Sequence, residues 1–170
     1  RYPVEDGFGS GTVFRITFTK ENLPTLVQSF YVYKNRKYLL TDFTLLADKA
    51  SAASNYMAPV NLDRPRFLTE NTAENRALFI PFDNDCWVRY RSHPLAFDTL
   101  VSYEVSSVFN PVRRNGWVIG SVEHDNWKTA VEMHRGSDDR AAKLVCYGGV
   151  ADRLTRDSKN HGFLVGKRIK

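Results

Sequence analysis

Apolar and polar residues alternate with a period of two along most of this chain. Over residues 12–19, Phe14, Ile16 and Phe18 interleave with Val13, Arg15 and Thr17, the pattern of a strand whose two faces meet different surroundings. Residues 26–33 repeat it, with Leu26, Gln28, Phe30 and Val32 on one face and Val27, Ser29, Tyr31 and Tyr33 on the other. The polar tetrad Lys34-Asn35-Arg36-Lys37 then leads into a further extended stretch, residues 38–46, and its length and composition predict a hairpin. Strand patterns recur at 57–62 (weakened by Pro59), 76–82, 87–91, 100–110, 117–124, 128–134, 143–149 and 163–165. The 100–110 stretch reads as one strand with Tyr103, Val105, Ser107 and Phe109 on one side. Asn115-Gly116 is the strongest short turn signal, closing a loop that opens at Pro111, and Gly148-Gly149 reads as a bulge or a close backbone approach.

Helical spacing is nowhere sustained over ten residues; only 47–53, small and polar, reads as a short helical turn. Many strands with turns at short intervals specify a sandwich or a closed barrel, because each sheet buries its apolar face against another. With 170 residues the chain exceeds an immunoglobulin-type domain of roughly 100. The expected architecture is all-β, a two-sheet antiparallel β-sandwich, with residues 1–170 forming a single domain.

Composition narrows the function classes. Hydrophobic residues at 42% and charged residues at 25% describe an ordinary globular chain. No apolar run approaches the roughly 20 residues of a membrane-spanning helix, so no membrane partner is expected. The net charge of +5, from 24 Lys and Arg against 19 Asp and Glu, is spread over pairs such as Arg64/Arg66, Arg113/Arg114 and Lys167/Arg168. A nucleic-acid binder gathers its bases on one face; Arg89-Tyr90-Arg91 alone hints at that, and no nucleic-acid partner is expected. The chain opens on Arg1 and ends on the basic Gly166-Lys167-Arg168-Ile169-Lys170, which reads as a piece of a longer polypeptide.

Motif by motif, little chemistry emerges. Cys86 and Cys146 lack the spacing of a structural zinc site; a disulfide between them competes with two buried thiols, and the thiols are preferred. Gly7-Phe8-Gly9-Ser10-Gly11 precedes a strand rather than joining a strand to a helix, so it is a loop and not a dinucleotide fingerprint. Gly162 to Arg168 lacks both the spacing and the hydroxyl of a phosphate loop, and no serine sits in a nucleophile elbow. A hairpin would bring His124 and His134 together beside Glu123 or Asp125, but no third ligand is specified, and structural histidines are the better reading. Neither a metal nor a cofactor is expected.

Two polar clusters stand out. Pro81-Phe82-Asp83-Asn84-Asp85-Cys86-Trp87 combines acidic and amide groups with an indole, the chemistry of sugar recognition: carboxylates and amides bind vicinal hydroxyls, and an indole face packs on a pyranose. The same residues fit an Asx-rich turn with Trp87 in the core. Calcium at Asp83 and Asp85 is a third option, without the spacing of a known calcium loop. His124-Asp125-Asn126-Trp127-Lys128-Thr129 is the second cluster, a tight link between two strands.

At these clusters the chain resembles a known family. Glu74 to Asp85, Ser102-Tyr103-Glu104-Val105 and Arg114 to Thr129 are similar to the N-terminal domain of bacterial, Bacteroidetes-like alpha-galactosidase-type glycoside hydrolases. The resemblance implies a galactose-mutarotase-like β-supersandwich preceding a (β/α)8 catalytic barrel, in a secreted or periplasmic enzyme. It implies further that the two catalytic carboxylates lie in the barrel beyond Lys170. Such carboxylates flank one glycosidic bond, and no catalytic residue is assigned in this chain, which alone is expected to be inactive. The implied partners are that barrel and a carbohydrate. Asp83, Asn84, Asp85 and Trp87 are the residues that would wall the sugar pocket. The competing expectation is a free-standing carbohydrate-binding module.

Overall fold

Period-two alternation becomes hydrogen-bonded strand almost wherever it occurs. The computed structural model describes residues 1–46, 53–54, 56–65, 73–81, 89–123, 129–135, 141–149, 164–165 and 168–169. Among them the fold is all-β, and the strands of defined register pair antiparallel. The expected helical turn at 47–53 falls largely outside the described residues. By its contacts the chain divides into two units, residues 1–59 with 149–170, and residues 60–148.

The first unit is built on a five-stranded sheet. Its strands are β1 (Tyr2–Asp6), β2 (Gly9–Phe18), β3 (Thr25–Tyr33), β4 (Leu39–Leu46) and, from the far end of the chain, β15 (Arg168–Ile169), in that order, while β5 (Ala53–Ser54) and β14 (Leu164–Val165) pair as a separate two-stranded ribbon. The expected loop at 7–11 is instead the tip of a hairpin. Gly7 and Phe8 turn the chain, the Asp6 carboxylate accepts from the Phe8 amide at 2.8 Å, and Gly9 at φ 125° resumes the strand. The Asx residue caps its own backbone two residues on. Gly11 is required by close approach: a Cβ there would collide with the Val32 carbonyl oxygen. The predicted β3–β4 hairpin forms, with Asn35 at φ 58° in its turn.

Register separates the two faces of this sheet. One reads Thr12, Phe14, Ile16 and Phe18 on β2, against Val32, Phe30, Gln28 and Leu26 on β3, against Leu39, Thr41, Phe43 and Leu45 on β4. The other carries Val13, Val27, Ser29, Tyr31, Tyr33 and Asp42, all buried. The Tyr31 hydroxyl donates to an Asp42 carboxyl oxygen at 2.7 Å, so this buried polar group is held by a hydrogen bond. In β2 the larger apolar set is therefore the exposed one.

The second unit is a sandwich of two four-stranded sheets. One has the order β11 (Asn115–Gly120), β10 (Val105–Asn110), β7 (Arg76–Phe79), β8 (Arg91–Pro94). The other runs β6 (Tyr56–Asp63), β13 (Ala141–Gly149), β12 (Thr129–Arg135), β9 (Thr99–Tyr103), with residues 56–59 of β6 and Gly149 of β13 counted in the first unit. Pro59 sits in the edge strand β6, where a missing N–H does no harm. Ala77 and Val108 from the first sheet meet Leu100, Val131, Met133 and Leu144 from the second in one buried cluster, with Trp117, Ile119 and Phe79 packed against it. Facing apolar sides of two antiparallel sheets are what hold a sandwich closed.

Three sequence expectations shift here. Residues 100–110 are two strands in different sheets, broken at Glu104, whose φ of 66° turns the corner between β9 and β10. Asn115-Gly116 is not the turn; it begins β11, paired with Asn110 and Phe109, and the turn is Pro111 to Arg114. Of the extended segment expected at 87–91, residues 87–88 lie outside the described residues, Arg89 and Tyr90 are not in a strand, and β8 begins at Arg91.

Candidate functional site

The corner at Glu104 is where separated stretches of sequence meet. Ser102 and Ser106 are wholly buried on either side of it, and buried hydroxyls need partners. Ser102 Oγ donates to the Val105 carbonyl at 2.7 Å and accepts from the Ile80 amide at 2.9 Å. Ser106 Oγ donates to the Leu78 carbonyl at 2.8 Å. The Tyr103 amide donates to the Ile80 carbonyl at 3.0 Å. These four bonds fix the end of β7, so Pro81 leaves the sheet from the β9–β10 corner.

The second cluster is rooted at the same place. The Glu104 amide donates to the Thr129 carbonyl at 2.8 Å, and the Glu104 carbonyl accepts from the Ser121 amide at 2.9 Å. Ser121 Oγ and Thr129 Oγ1 lie 2.5 Å apart, sharing a hydrogen bond. Ser121 and Thr129 flank the segment 124–128, so both of its roots are clamped to one residue. Asp83, Asn84, Asp85 and Trp87 lie outside the described residues, as do Phe82, Cys86 and the cluster His124, Asp125, Asn126, Trp127 and Lys128. What the described residues fix is that the two clusters spring from one corner of one sandwich.

Beyond residue 88 the chain re-enters through Arg89 and the exposed Tyr90, then becomes the edge strand β8. There Arg91 Nε donates to His93 Nε2 at 3.0 Å, which leaves the imidazole neutral with its proton on Nδ1. His93 meets the Phe79 ring edge-on, with centroids 5.7 Å apart, and the Arg91 guanidinium lies 6.0 Å from the same ring. Desolvation, then the charges of Arg91 and Arg76, lower the imidazole pKa below its ordinary value. Arg76 is itself committed to Ser92, through Nε to the hydroxyl and Nη2 to the carbonyl, both at 2.8 Å. Sequence reasoning noticed Arg89-Tyr90-Arg91 but did not see that His93 and Phe79 complete the group. That signal lay in the cross-strand register, Phe79 opposite Arg91 and Ala77 opposite His93.

His134, weighed with His124 as a metal ligand, is engaged on both ring nitrogens, with Glu132 Oε1 at 2.6 Å and Thr99 Oγ1 at 3.2 Å. Among the described residues no group of three His, Cys, Asp or Glu side chains is placed to hold a metal ion. Cys146 is a free thiol, and burial raises its pKa to about 11. At the tip of the first unit, Phe8 and Tyr38 each lie 6.0 Å from the Tyr33 ring, and the Tyr33 hydroxyl donates to Asp6 at 2.8 Å. Burial and that carboxylate push the tyrosine pKa up.

Among the described residues, the corner hydroxyls spend their donors on backbone carbonyls or on each other. Comparison with protein-family models, with curated proteins and with solved structures finds no match for this chain.

Proposed function

We propose that this chain is the non-catalytic β-sandwich portion of a glycoside hydrolase of the alpha-galactosidase type, and that its 82–88 segment forms one wall of the sugar pocket. The observation that carries the reading is the corner. The three stretches that resemble such enzymes, 74–85, 102–105 and 114–129, are far apart in sequence, yet Ile80, Ser102, Glu104, Ser121 and Thr129 are joined there by hydrogen bonds. A rigid root beneath two polar, indole-bearing segments suits recognition, because a site is only as precise as the framework that holds it.

In this reading each residue has a defined task. Asp83 and Asp85 accept hydrogen bonds from sugar hydroxyls, Asn84 both donates and accepts, and Trp87 covers the apolar face of the ring. Bond cleavage belongs to a carboxylate pair on the barrel of the same polypeptide, and secretion or export to the periplasm follows from the same resemblance.

The test uses the polypeptide encoded by the gene. Asp85→Ala and Trp87→Ala are expected to raise KM for an aryl alpha-galactoside while leaving the melting temperature within about 2 °C, since in this reading both side chains face the sugar and not the core. Residues 1–170 alone are expected to give no turnover. A normal KM with a lowered melting temperature would show the segment to be only a turn. Tight galactoside binding by residues 1–170, equal to that of the encoded polypeptide, would indicate a free-standing binding module.

A further inference from the structure

An edge strand presents a row of backbone N–H and C=O groups to any extended partner, and charge, proline, bulges or cover ordinarily blunt it. Three edge strands of this chain follow that rule: β1 carries Pro3, Glu5 and Asp6, β6 carries Pro59 and Asp63, and β8 carries Arg91 and Pro94. The edge strand β11 does not. Its sequence, Asn115-Gly116-Trp117-Val118-Ile119-Gly120, has neither charge nor proline, and its register with β10 is unbroken. Among the described residues β10 is its one strand neighbour. Trp117 and Ile119 pack on the sandwich core, whereas Val118, on the outer face, is 74% exposed.

Charge at the two ends of β11 discriminates between occupants. Arg113 and Arg114 precede the strand and Glu123 follows it, all three exposed. Any strand added here must set its core-facing residues opposite those of β11, because opposed residues share a face. A second β11 does so about a two-fold axis through Val118. Val118 then meets its own copy on the outer face, and Trp117 meets the partner's Ile119 on the inner one. Positions 113 and 123 each lie five residues from 118, so the same axis sets the basic end of each copy beside the acidic end of the other. Opposite charges across a ladder stabilise it and like charges weaken it. A parallel copy would oppose arginine to arginine, and an unrelated segment would leave the charge pattern without a counterpart.

We propose that β11 is a self-association edge: two copies of this chain pair β11 to β11, antiparallel, about a two-fold axis at Val118. The sheet β11-β10-β7-β8 of each copy continues into that of the other, four strands from each, and the interface is isologous. A six-residue ladder covers less than the about 800 Å² per partner of a standard interface, so the association is reversible and concentration-dependent. It does not rest on the glycoside-hydrolase reading and stands or falls apart from it.

Sedimentation velocity of the encoded polypeptide over a range of concentrations tests it. A monomer–dimer equilibrium is expected, and Val118→Lys, at a position already exposed, should abolish it by setting lysine against lysine. Arg113→Glu and Glu123→Arg each turn two attractive pairs into repulsive ones and should weaken association about tenfold, while the two changes together restore it. Val118→Cys should cross-link to its own copy under copper phenanthroline and oxygen, because directly opposed residues have Cα atoms within disulfide range. Val112→Cys, in the exposed turn and far from the axis, should not. Should a charge variant fail to fold, the comparison of these two cysteine variants decides. A wild type that stays monomeric up to about 1 mM overturns the proposal. So does a dimer that survives Val118→Lys or both charge reversals, or equal cross-linking at 112 and 118.

Discussion

Asn110 donates from Nδ2 to Oδ1 of Asn75 at 2.8 Å, and both side chains are buried. The remaining oxygen of Asn110 accepts from the amides of Val112 and Arg113 at 3.0 and 2.8 Å, while the Asn75 carbonyl accepts from Leu95. One side chain thus closes the β10–β11 turn and ties it to the residue that leads into β7. Asn110→Ala removes a buried donor and an acceptor together and is expected to cost about 2 kcal/mol. For a chain of this size that lowers the melting temperature by roughly 4–8 °C. Val112→Ala, in the same turn but exposed, should leave it unchanged. Equal melting curves for all three proteins would show that the pair carries no stability.

The same turn tests the correction of the sequence reading. Arg114 adopts φ 56° and donates its amide to the Asn110 carbonyl at 2.9 Å. Left-handed backbone is costly for arginine and easy for glycine. Arg114→Gly is therefore expected to stabilise by about 0.5–1 kcal/mol, after allowing for the greater freedom of an unfolded glycine. Gly116 sits under the neighbouring strand, where a Cβ would lie 2.5 Å from the Val108 carbonyl oxygen. Gly116→Ala should cost at least about 2 kcal/mol through forced displacement of β10. If 115–116 were the turn, Gly116→Ala would be mild and Arg114→Gly without benefit. Urea midpoints of the two variants separate the cases.

These residues also show where sequence reasoning stops. Alternation located strands and faces, because side-chain period follows directly from strand geometry. Which face of β2 is buried depended on what lies across from it, and local pattern holds no such information. Val13 is buried while Phe14, Ile16 and Phe18 are exposed. Asn-Gly predicted a turn from propensity, but glycine was required at 116 by close backbone approach, a cross-strand effect. The 100–110 stretch looked continuous because period two passes unbroken through Glu104; only its positive φ reveals the change of sheet. For the candidate site, composition singled out both polar clusters, whereas their common root required hydrogen bonds between residues distant in sequence, as from Ile80 to Ser102 and from Glu104 to Thr129.

The thiol of Cys146 gives a chemical readout of the sandwich. Its pKa of about 11 reflects burial, so at pH 8 about one molecule in a thousand carries the reactive thiolate. Iodoacetamide is expected to leave Cys146 unmodified in the native protein at pH 8 and to alkylate it fully in guanidinium. Peptide mass mapping distinguishes this site from Cys86. Rapid native modification of Cys146 would mean that β13 opens readily.

His93 predicts a specific acid sensitivity. Its imidazole is neutral, accepting from Arg91 on Nε2, and the guanidinium groups of Arg91 and Arg76 both disfavour a further positive charge. Its pKa in the folded protein is thus below the ordinary 6.5 that it regains on unfolding. Between those two values the unfolded chain binds more protons than the folded one, so stability rises with pH. The contribution is complete above about pH 6.5, declines as pH falls toward the folded value, and is constant below it. Protonation would also set an N–H against the Arg91 N–H and undo that hydrogen bond. His93→Gln keeps a polar side chain of similar length and removes the titration. The difference in melting temperature between wild type and His93→Gln should shift against wild type from pH 7.5 to 5. Carboxylates titrate mainly below that window, and the other histidines cancel in the comparison. A difference independent of pH would show that His93 has the same proton affinity in both states, and that the Arg91 contact does not hold it neutral.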